Sequence, residues 1–388
     1  MYRIKTFNKI APQGLERLAP ARYQVGEDVV EEEGILVRSA NLLEYPFPES
    51  LLAIARAGVG VNNIPLDRCS ENGVAVFSTP GANANAVKEL VLCAMLISSR
   101  DITGAVRWVK DQAASGVEVE TVVEKGKAAF VGPELYRKTL GVIGLGAIGS
   151  LAANAALGLG MDVYGFDPFL SVDAALRLDR HVHVVQDVNE LYKKADYITA
   201  HIHFNEKTRR MIGPEAFAAM KPGVRLINLA RGGIVDDGAL LSALDAGRVT
   251  AYVTDFPTNQ LVANPHVVAM PHLGASTPES EQNCAVMAAE ELRDYLENGN
   301  IKNSVNLPDV SLERSGVQRL CVLHKNIPAM LANITALLSR DGVNVENLSN
   351  KSKGDYAYTL VDLGDKVEPA VLEDLKHLAN VIRVRAID

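Results

Sequence analysis

Residues 141–150, GVIGLGAIGS, constrain the fold of this chain more than any other stretch. Gly144, Gly146 and Gly149 hold a G-x-G-x-x-G spacing directly after the apolar residues Leu140, Val142 and Ile143, with Ala147 and Ile148 completing the loop. Each glycine has a separate physical task. The first permits a tight strand-to-helix turn, the second lets the backbone approach a pyrophosphate, and the third lets the next helix pack closely on the sheet. Phosphates then meet a helix N-terminus, where unpaired N–H groups and the helix dipole favour anions.

The surroundings carry the case further. Residues 150–159 are rich in Ala and Leu and read as a helix, Gly160 ends it, and DVYGF at 162–166 reads as a second strand closing on Asp167. Asp167 falls 18 residues after Gly149, near the spacing at which a carboxylate accepts hydrogen bonds from the adenosine ribose and repels a 2′-phosphate. That favours NAD over NADP.

A chain of 388 residues is too long for one ordinary core and predicts two or three domains. Its net charge of −8 and the absence of a basic stripe argue against a nucleic-acid partner. The four cysteines, Cys69, Cys93, Cys284 and Cys321, show no C-x-x-C pairing, so they read as reduced thiols with no metal site. The start MYRIKTFNKI lacks a long apolar core, and the longest apolar run, 90–97, is far short of a membrane span. The expectation is a cytoplasmic protein with no membrane partner.

Short apolar runs at 35–37, 51–55 and 74–77 precede the glycine loop, followed by a helical pattern at 86–99 and a charged stretch at 107–127. Beyond Asp167, runs at 182–185, 197–201, 225–229, 250–253 and 267–269 alternate with helical segments, which predicts parallel sheet covered on both faces. A long amphipathic helix follows at 279–298. Residues 304–316 have the Pro, Asp, Ser and Gly of a linker. The remainder, 317–388, reads strand, helix, strand, strand, helix, strand, the βαββαβ order of an independent ferredoxin-like sandwich.

Two side chains stand where chemistry is expected. Arg231, in NLARGGIVD, follows a buried strand at the end where open α/β sheets bind ligands, and its planar fork suits a carboxylate or phosphate. His272, in MPHLGAST, also follows an apolar strand, and histidine titrates nearest the working pH of a proton carrier. His201 and His203 read as lining the nucleotide pocket.

Four ordered motifs, RAGVGVNNI at 56–64, GLGAIG, LARGGIVD and PHLGAST, together resemble the D-2-hydroxyacid dehydrogenase family over nearly the whole chain. The resemblance implies an α/β fold of two Rossmann-like doubly wound parallel-sheet domains plus a C-terminal ferredoxin-like domain. It implies a discontinuous substrate domain at 1–95 and 284–303, an NAD-binding domain at 96–283, a linker at 304–316 and a regulatory domain at 317–388. The implied activity is NAD-dependent oxidation of a phosphorylated 2-hydroxy acid, 3-phospho-D-glycerate, in a homodimer or homotetramer. Alternatives are an enzyme of the glycerate or glyoxylate type, or a non-catalytic NAD-sensing regulator.

By the same resemblance Arg231 holds the substrate carboxylate and His272 takes the C2 hydroxyl proton. Arg38, Ser39, Arg56, Gly58, Val59 and Asn83 match positions around the substrate, while His201, Ala230, Asp255 and Gly274 join the glycine loop and Asp167 on the cofactor side. One departure concerns the segment TDFPTNQ at 254–260: where the family has a glutamate to orient the imidazole, this chain has Asn259, and the usual aspartate position holds Thr254, with Asp255 displaced by one. An amide can orient an imidazole but supplies no charge. Asn259 or Gln260 then replaces the acid, or Asp255 itself reaches His272. The C-terminal part resembles an ACT domain, the ligand loop matching HKNIP at 324–328 and GVN at 342–344, which implies a serine effector held by His324, Asn326 and Asn344.

Overall fold

A computed structural model describes every residue of the chain except Asp341. The chain divides into two compact units, Met1–Asn83 with Pro278–Asp388, and Ala84–Thr277.

The first unit is built on a five-stranded parallel sheet of β1 (Tyr2–Phe7), β2 (Tyr23–Gly26), β3 (Gly34–Val37), β4 (Ala53–Arg56) and β5 (Ala75–Phe77). Its strand order is β2-β1-β3-β4-β5. The order reverses between β1 and β3, so the chain leaves the sheet there in opposite senses, through Asn8 on one side and Arg38 on the other. Asn8 adopts φ 66°, and its Oδ1 accepts the N–H groups of Ser39 at 2.9 Å and Ala40 at 2.7 Å, which pins the turn after β3. The helix Pro278–Asn298 lays Ala285, Ala288, Ala289 and Leu292 against Ile4, Leu36, Ala55 and Phe77.

In the second unit seven parallel strands form one sheet: β6 (Thr139–Ile143), β7 (Asp162–Phe166), β8 (His183–Val185), β9 (Tyr197–Ala200), β10 (Val224–Asn228), β11 (Val249–Thr254) and β12 (Val267–Ala269). The order β12-β11-β10-β9-β6-β7-β8 reverses between β9 and β6. This is the doubly wound arrangement expected from the alternating pattern.

The domain edges expected from sequence, 95/96 and 283/284, fall instead at 83/84 and 277/278. The reason is packing. Val87, Val91, Ala94 and Met95 of the helix Ala84–Ser99 bury against Leu140, Val142 and Val253 of the seven-stranded sheet, and Arg225 Nε donates to Ser98 O at 2.8 Å. The charged stretch after that helix forms two further helices, Ile102–Ala114 and Val119–Gly126, neither of which buries a residue.

The C-terminal part forms β13 (Gln318–Lys325), β14 (Val345–Lys353), β15 (Tyr356–Leu363) and β16 (Val381–Ile387), an antiparallel sheet ordered β14-β15-β13-β16. Helices Met330–Arg340 and Pro369–His377 cover one face through Ile334, Leu338, Val371 and Leu375. The βαββαβ sandwich is therefore present, but it does not stand alone within its unit. Cys321, Leu323, Tyr358 and Leu360 on the other face enter the same core as the helix Pro278–Asn298.

A polar seam backs that contact. The buried Arg319 grips Asp362 through Nε at 2.5 Å and Nη2 at 2.8 Å, and its Nη1 donates to Asn298 O at 2.9 Å. Arg385 Nη2 donates to Leu296 O at 2.9 Å. Both carbonyls belong to the last turn of a helix, which has no intrahelical donors of its own and favours a cation. The expected linker is likewise part of the core: Leu307 and Val310 are buried, and Asn306 extends the edge of β5 by accepting from Val76 N at 2.8 Å and donating to Val74 O at 2.9 Å.

Candidate functional site

The glycine loop lies at the strand-order reversal of the second unit. β6 ends at Ile143, Gly144 turns with φ 89°, and the helix Ala147–Gly158 begins at once. A Cβ on Gly144 would stand 2.4 Å from His201 O, and one on Gly149 would stand 1.9 Å from Gly144 O, whereas one on Gly146 would meet nothing within 4 Å. The outer glycines are thus required by the protein's own packing. The middle one faces open space that a ligand backbone can use.

Asp167, at the end of β7, braces the loop: Oδ2 accepts from Leu145 N and Oδ1 from Phe169 N, both at 2.9 Å. Each oxygen keeps acceptor capacity for a ribose hydroxyl. His201 bonds Thr199 Oγ1 through Nε2 at 3.0 Å, while its Nδ1 is buried without a partner. Enclosure of the ring pushes its pKa down to about 4, so the imidazole is neutral. His203 is exposed. A backbone cradle, a braced carboxylate and an orphaned ring nitrogen fit a dinucleotide, which would be held by Gly144, Gly146, Gly149 and Asp167.

Asn228, 1% exposed at the end of β10, shapes the arginine loop by donating from Nδ2 to Arg231 O at 2.9 Å and accepting from Ala230 N at 3.1 Å. Arg231 Nη1 donates to Ala230 O at 2.7 Å. His272 follows β12 in an exposed loop, and its ring lies 4.6 Å from the Phe256 ring, centroid to centroid.

Of the three proposed partners of His272, none makes a hydrogen bond or ion pair with the imidazole. Asn259 and Gln260 are exposed on the short helix Asn259–Val262, and Gln260 lines a cavity of ≈ 530 Å³ with Asn228, Gly232, Gly233 and Phe256. Asp255 is 1% exposed and does hold the histidine segment: Oδ2 accepts from Gly274 N at 3.1 Å. Its Oδ1 is buried with no partner. Burial raises the Asp255 pKa, and the Gly274 bond and the charge of His272 oppose that rise.

In the first unit, Arg56 ends β4 and Arg38 follows β3, and the structure brings them together: Arg56 Nε donates to Arg38 O at 3.0 Å. Gly58, with φ 153°, makes room for the folded guanidinium, since a Cβ there would lie 2.4 Å from Arg56 Nη1. Arg38 Nη2 donates to Glu281 Oε1 at 2.6 Å. Ser39 is tied to Asn8, Val59 is half-buried, and Asn83 carries a buried Oδ1 without a partner.

The three expected effector ligands are engaged by the fold. His324 is 2% exposed, with Nδ1 on Lys325 O at 2.9 Å and Nε2 on Thr359 Oγ1 at 3.0 Å. Asn326 Nδ2 donates to Gly354 O at 3.0 Å, and Asn344 Nδ2 to Glu346 Oε1 at 2.8 Å. Sequence reasoning passed over Glu281, because its partner is 243 residues away and nothing local marks the pair.

The family described as D-isomer specific 2-hydroxyacid dehydrogenase, NAD binding domain, matches residues 92–274. A D-3-phosphoglycerate dehydrogenase of Methanocaldococcus jannaschii is 36% identical over 327 residues, covering 82% of this chain and 59% of that protein. The chain thus spans about three fifths of that relative's length. The D-3-phosphoglycerate dehydrogenase of Escherichia coli is 31% identical over 352 residues, 87% of this chain and 82% of that protein. A solved NAD+-bound 3-phosphoglycerate dehydrogenase of Entamoeba histolytica superimposes with a TM-score of 0.61 at 26% identity, covering 79% of this chain and 98% of that one.

Proposed function

The chain belongs to the D-isomer specific 2-hydroxyacid dehydrogenase family, and from that premise we propose that it oxidises 3-phospho-D-glycerate to 3-phosphohydroxypyruvate with NAD, the first step of serine biosynthesis. The observation that carries the reading is that the arginine loop after β10, the histidine loop after β12 and the glycine cradle after β6 all leave the carboxyl end of one parallel sheet. When bound, NAD accepts a hydride.

The chain's own residues do the rest. Arg231 offers two parallel N–H donors to the substrate carboxylate and draws electron density from C2. A neutral His272 ring nitrogen takes the C2 hydroxyl proton, which requires the free-base imidazole at working pH. Asp255 fixes the backbone of the histidine segment through Gly274. Arg56 and Arg38 are the groups suited to the phosphorylated end of the substrate.

NADH absorbance with a panel of D-2-hydroxy and 2-oxo acids tests this. The phosphorylated acid should give the highest kcat/KM. A glycerate or glyoxylate preference would move the chain to another branch of the family, and no turnover with any acid would leave an NAD-binding regulator.

A homodimer is part of the proposal. The amphipathic helices Ile102–Ala114 and Val119–Gly126 contain no fully buried residue, and Ile102, Val106 and Val109 are exposed; a second copy would cover that face. Light scattering on Val106→Glu would then report a smaller particle. A serine effector would have to displace the bonds made by Asn326 and Asn344, and unchanged activity at saturating serine would remove it. A reducing, cytoplasmic setting is in keeping with four unpaired cysteines and with the described residues containing no helix long and apolar enough to cross a membrane.

A further inference from the structure

The first unit gathers two guanidinium groups at the carboxyl end of its parallel sheet, beside the reversal between β1 and β3 where such sheets receive ligands. Both also lie close enough to the buried Cys284 thiol, in the second turn of the helix Pro278–Asn298, to act on its ionisation. The groups there form a small basic field next to a helix N-terminus, a setting for an anion.

Arg38 is held by a carboxylate. Glu281, in the first turn of that helix, accepts from Arg38 Nη2 at 2.6 Å, the partners being 41% and 43% exposed. The helix dipole alone does not call for a carboxylate here, because Glu279 stands in the same turn. A pair this exposed is screened by water and yields readily.

We propose that Glu281 is an internal competitor for Arg38, a specificity-determining carboxylate that occupies the guanidinium until the anionic end of a substrate displaces it. The inference rests on the reading of the chain as a dehydrogenase of a phosphorylated 2-hydroxy acid. A phosphate monoester brings three acceptor oxygens and a charge near −2, so it takes the fork from a single carboxylate. A substrate whose far end is an uncharged hydroxyl leaves the Arg38–Glu281 pair closed. Glu281 therefore lowers the affinity of every ligand that needs Arg38 by one common factor, and leaves the others alone.

The variant Glu281→Gln keeps the shape and removes the charge. An exposed pair worth up to about 1 kcal/mol corresponds to roughly a fivefold effect. The KM for 3-phospho-D-glycerate should fall by about that factor, with the change in KM rather than kcat, while the KM for unphosphorylated D-glycerate stays put. Inorganic phosphate, titrated by calorimetry without turnover, should tighten by the same factor. In an Arg38→Ala background the Glu281→Gln effect on phosphate should vanish, as a double-mutant cycle requires for a direct pair.

Phosphate affinity that is unchanged or weaker in Glu281→Gln would overturn the proposal. So would a gain that survives in Arg38→Ala. If no hydroxy acid is oxidised, the functional reading falls, but the phosphate titration still decides the role of Glu281. Thermal melts of each variant separate a lost fold from a lost contact.

Discussion

The two units both place their candidate binding groups where a parallel sheet reverses its strand order, yet they build with different materials. At the reversal between β6 and β9 the groups are backbone: Gly144, Gly146 and Gly149, with a single carboxylate, Asp167, bracing the loop. At the reversal between β1 and β3 they are side chains: Asn8, Arg38, Arg56 and Glu281. A backbone cradle is set by local torsions and close packing, so it either forms or fails. A side-chain cradle is set by exchangeable pairs, so it can be tuned by one charge.

The sharpest test of that contrast separates chemistry from cradle. His272→Ala and Arg231→Ala should each lower kcat/KM by roughly 10²–10⁴, while the dissociation constant for NAD stays within about twofold of wild type, since neither side chain builds the loop. A collapse of NAD affinity in either variant would break the distinction. Within the cradle, Gly149→Ala should unfold the loop and lower the melting temperature, because the added Cβ meets Gly144 O at 1.9 Å. Gly146→Ala should fold normally, its Cβ meeting nothing within 4 Å, yet weaken NAD by at least about tenfold, the equivalent of about 1.4 kcal/mol of lost approach to the pyrophosphate. Equal stability losses in the two variants would show that the middle glycine serves packing and not a ligand.

The same contrast explains what the sequence disclosed. The glycine loop, Asp167, and the arginine and histidine loops after β10 and β12 were legible because each is a short run with a fixed geometric meaning at a strand end. The pairing of Arg38 with Glu281 was not, because it joins a strand end to a helix far along the chain. The C-terminal βαββαβ order is legible from periodicity, but the same pattern predicts an independent module where the structure shows one joined to the core of its unit. A signal was present: β13, QRLCVLHK, is apolar on both faces and buried along nearly its whole length, whereas a free antiparallel sheet keeps one face polar. The linker reading at 304–316 failed for a related reason. Ser304 and Asn306 look like turn residues in sequence but spend their polar atoms on β5.

Each unit also buries one carboxyl beyond what its partners satisfy, Glu291 in the first and Asp255 in the second. Glu291 accepts from Asn303 Nδ2 at 2.6 Å, leaves Oε2 without a partner, and is pushed up to about 8 by burial. The folded state therefore binds a proton that the unfolded state has released between about pH 4.5 and 8, and stability falls as pH rises through that window. Glu291→Gln should remove the dependence and stabilise the protein at pH 9 by roughly 2–4 kcal/mol in urea unfolding, each pKa unit being worth about 1.4 kcal/mol. A wild-type stability that rises between pH 6 and 9 would contradict the burial of an uncompensated carboxyl there.

Asp255 calls for a finer measurement, because its effect passes through another residue. Its carboxyl is also raised by burial, but it is held by Gly274 N at 3.1 Å and it senses the charge of His272. Asp255→Asn removes the charge but keeps an oxygen able to accept from Gly274 N, whereas Asp255→Ala removes both. Asp255→Ala should lower kcat for alcohol oxidation by roughly 10²-fold, the size of effect expected when a catalytic group is displaced by about an ångström, and Asp255→Asn should recover most of that loss. Asn259→Ala should leave kcat in place, since Asn259 is exposed and makes no hydrogen bond to the imidazole. A loss in Asn259→Ala with none in Asp255→Ala would return the partner role to the amide. Equal losses in Asp255→Asn and Asp255→Ala would make the charge of the aspartate, and not its anchoring of the loop through Gly274, the property on which the histidine depends.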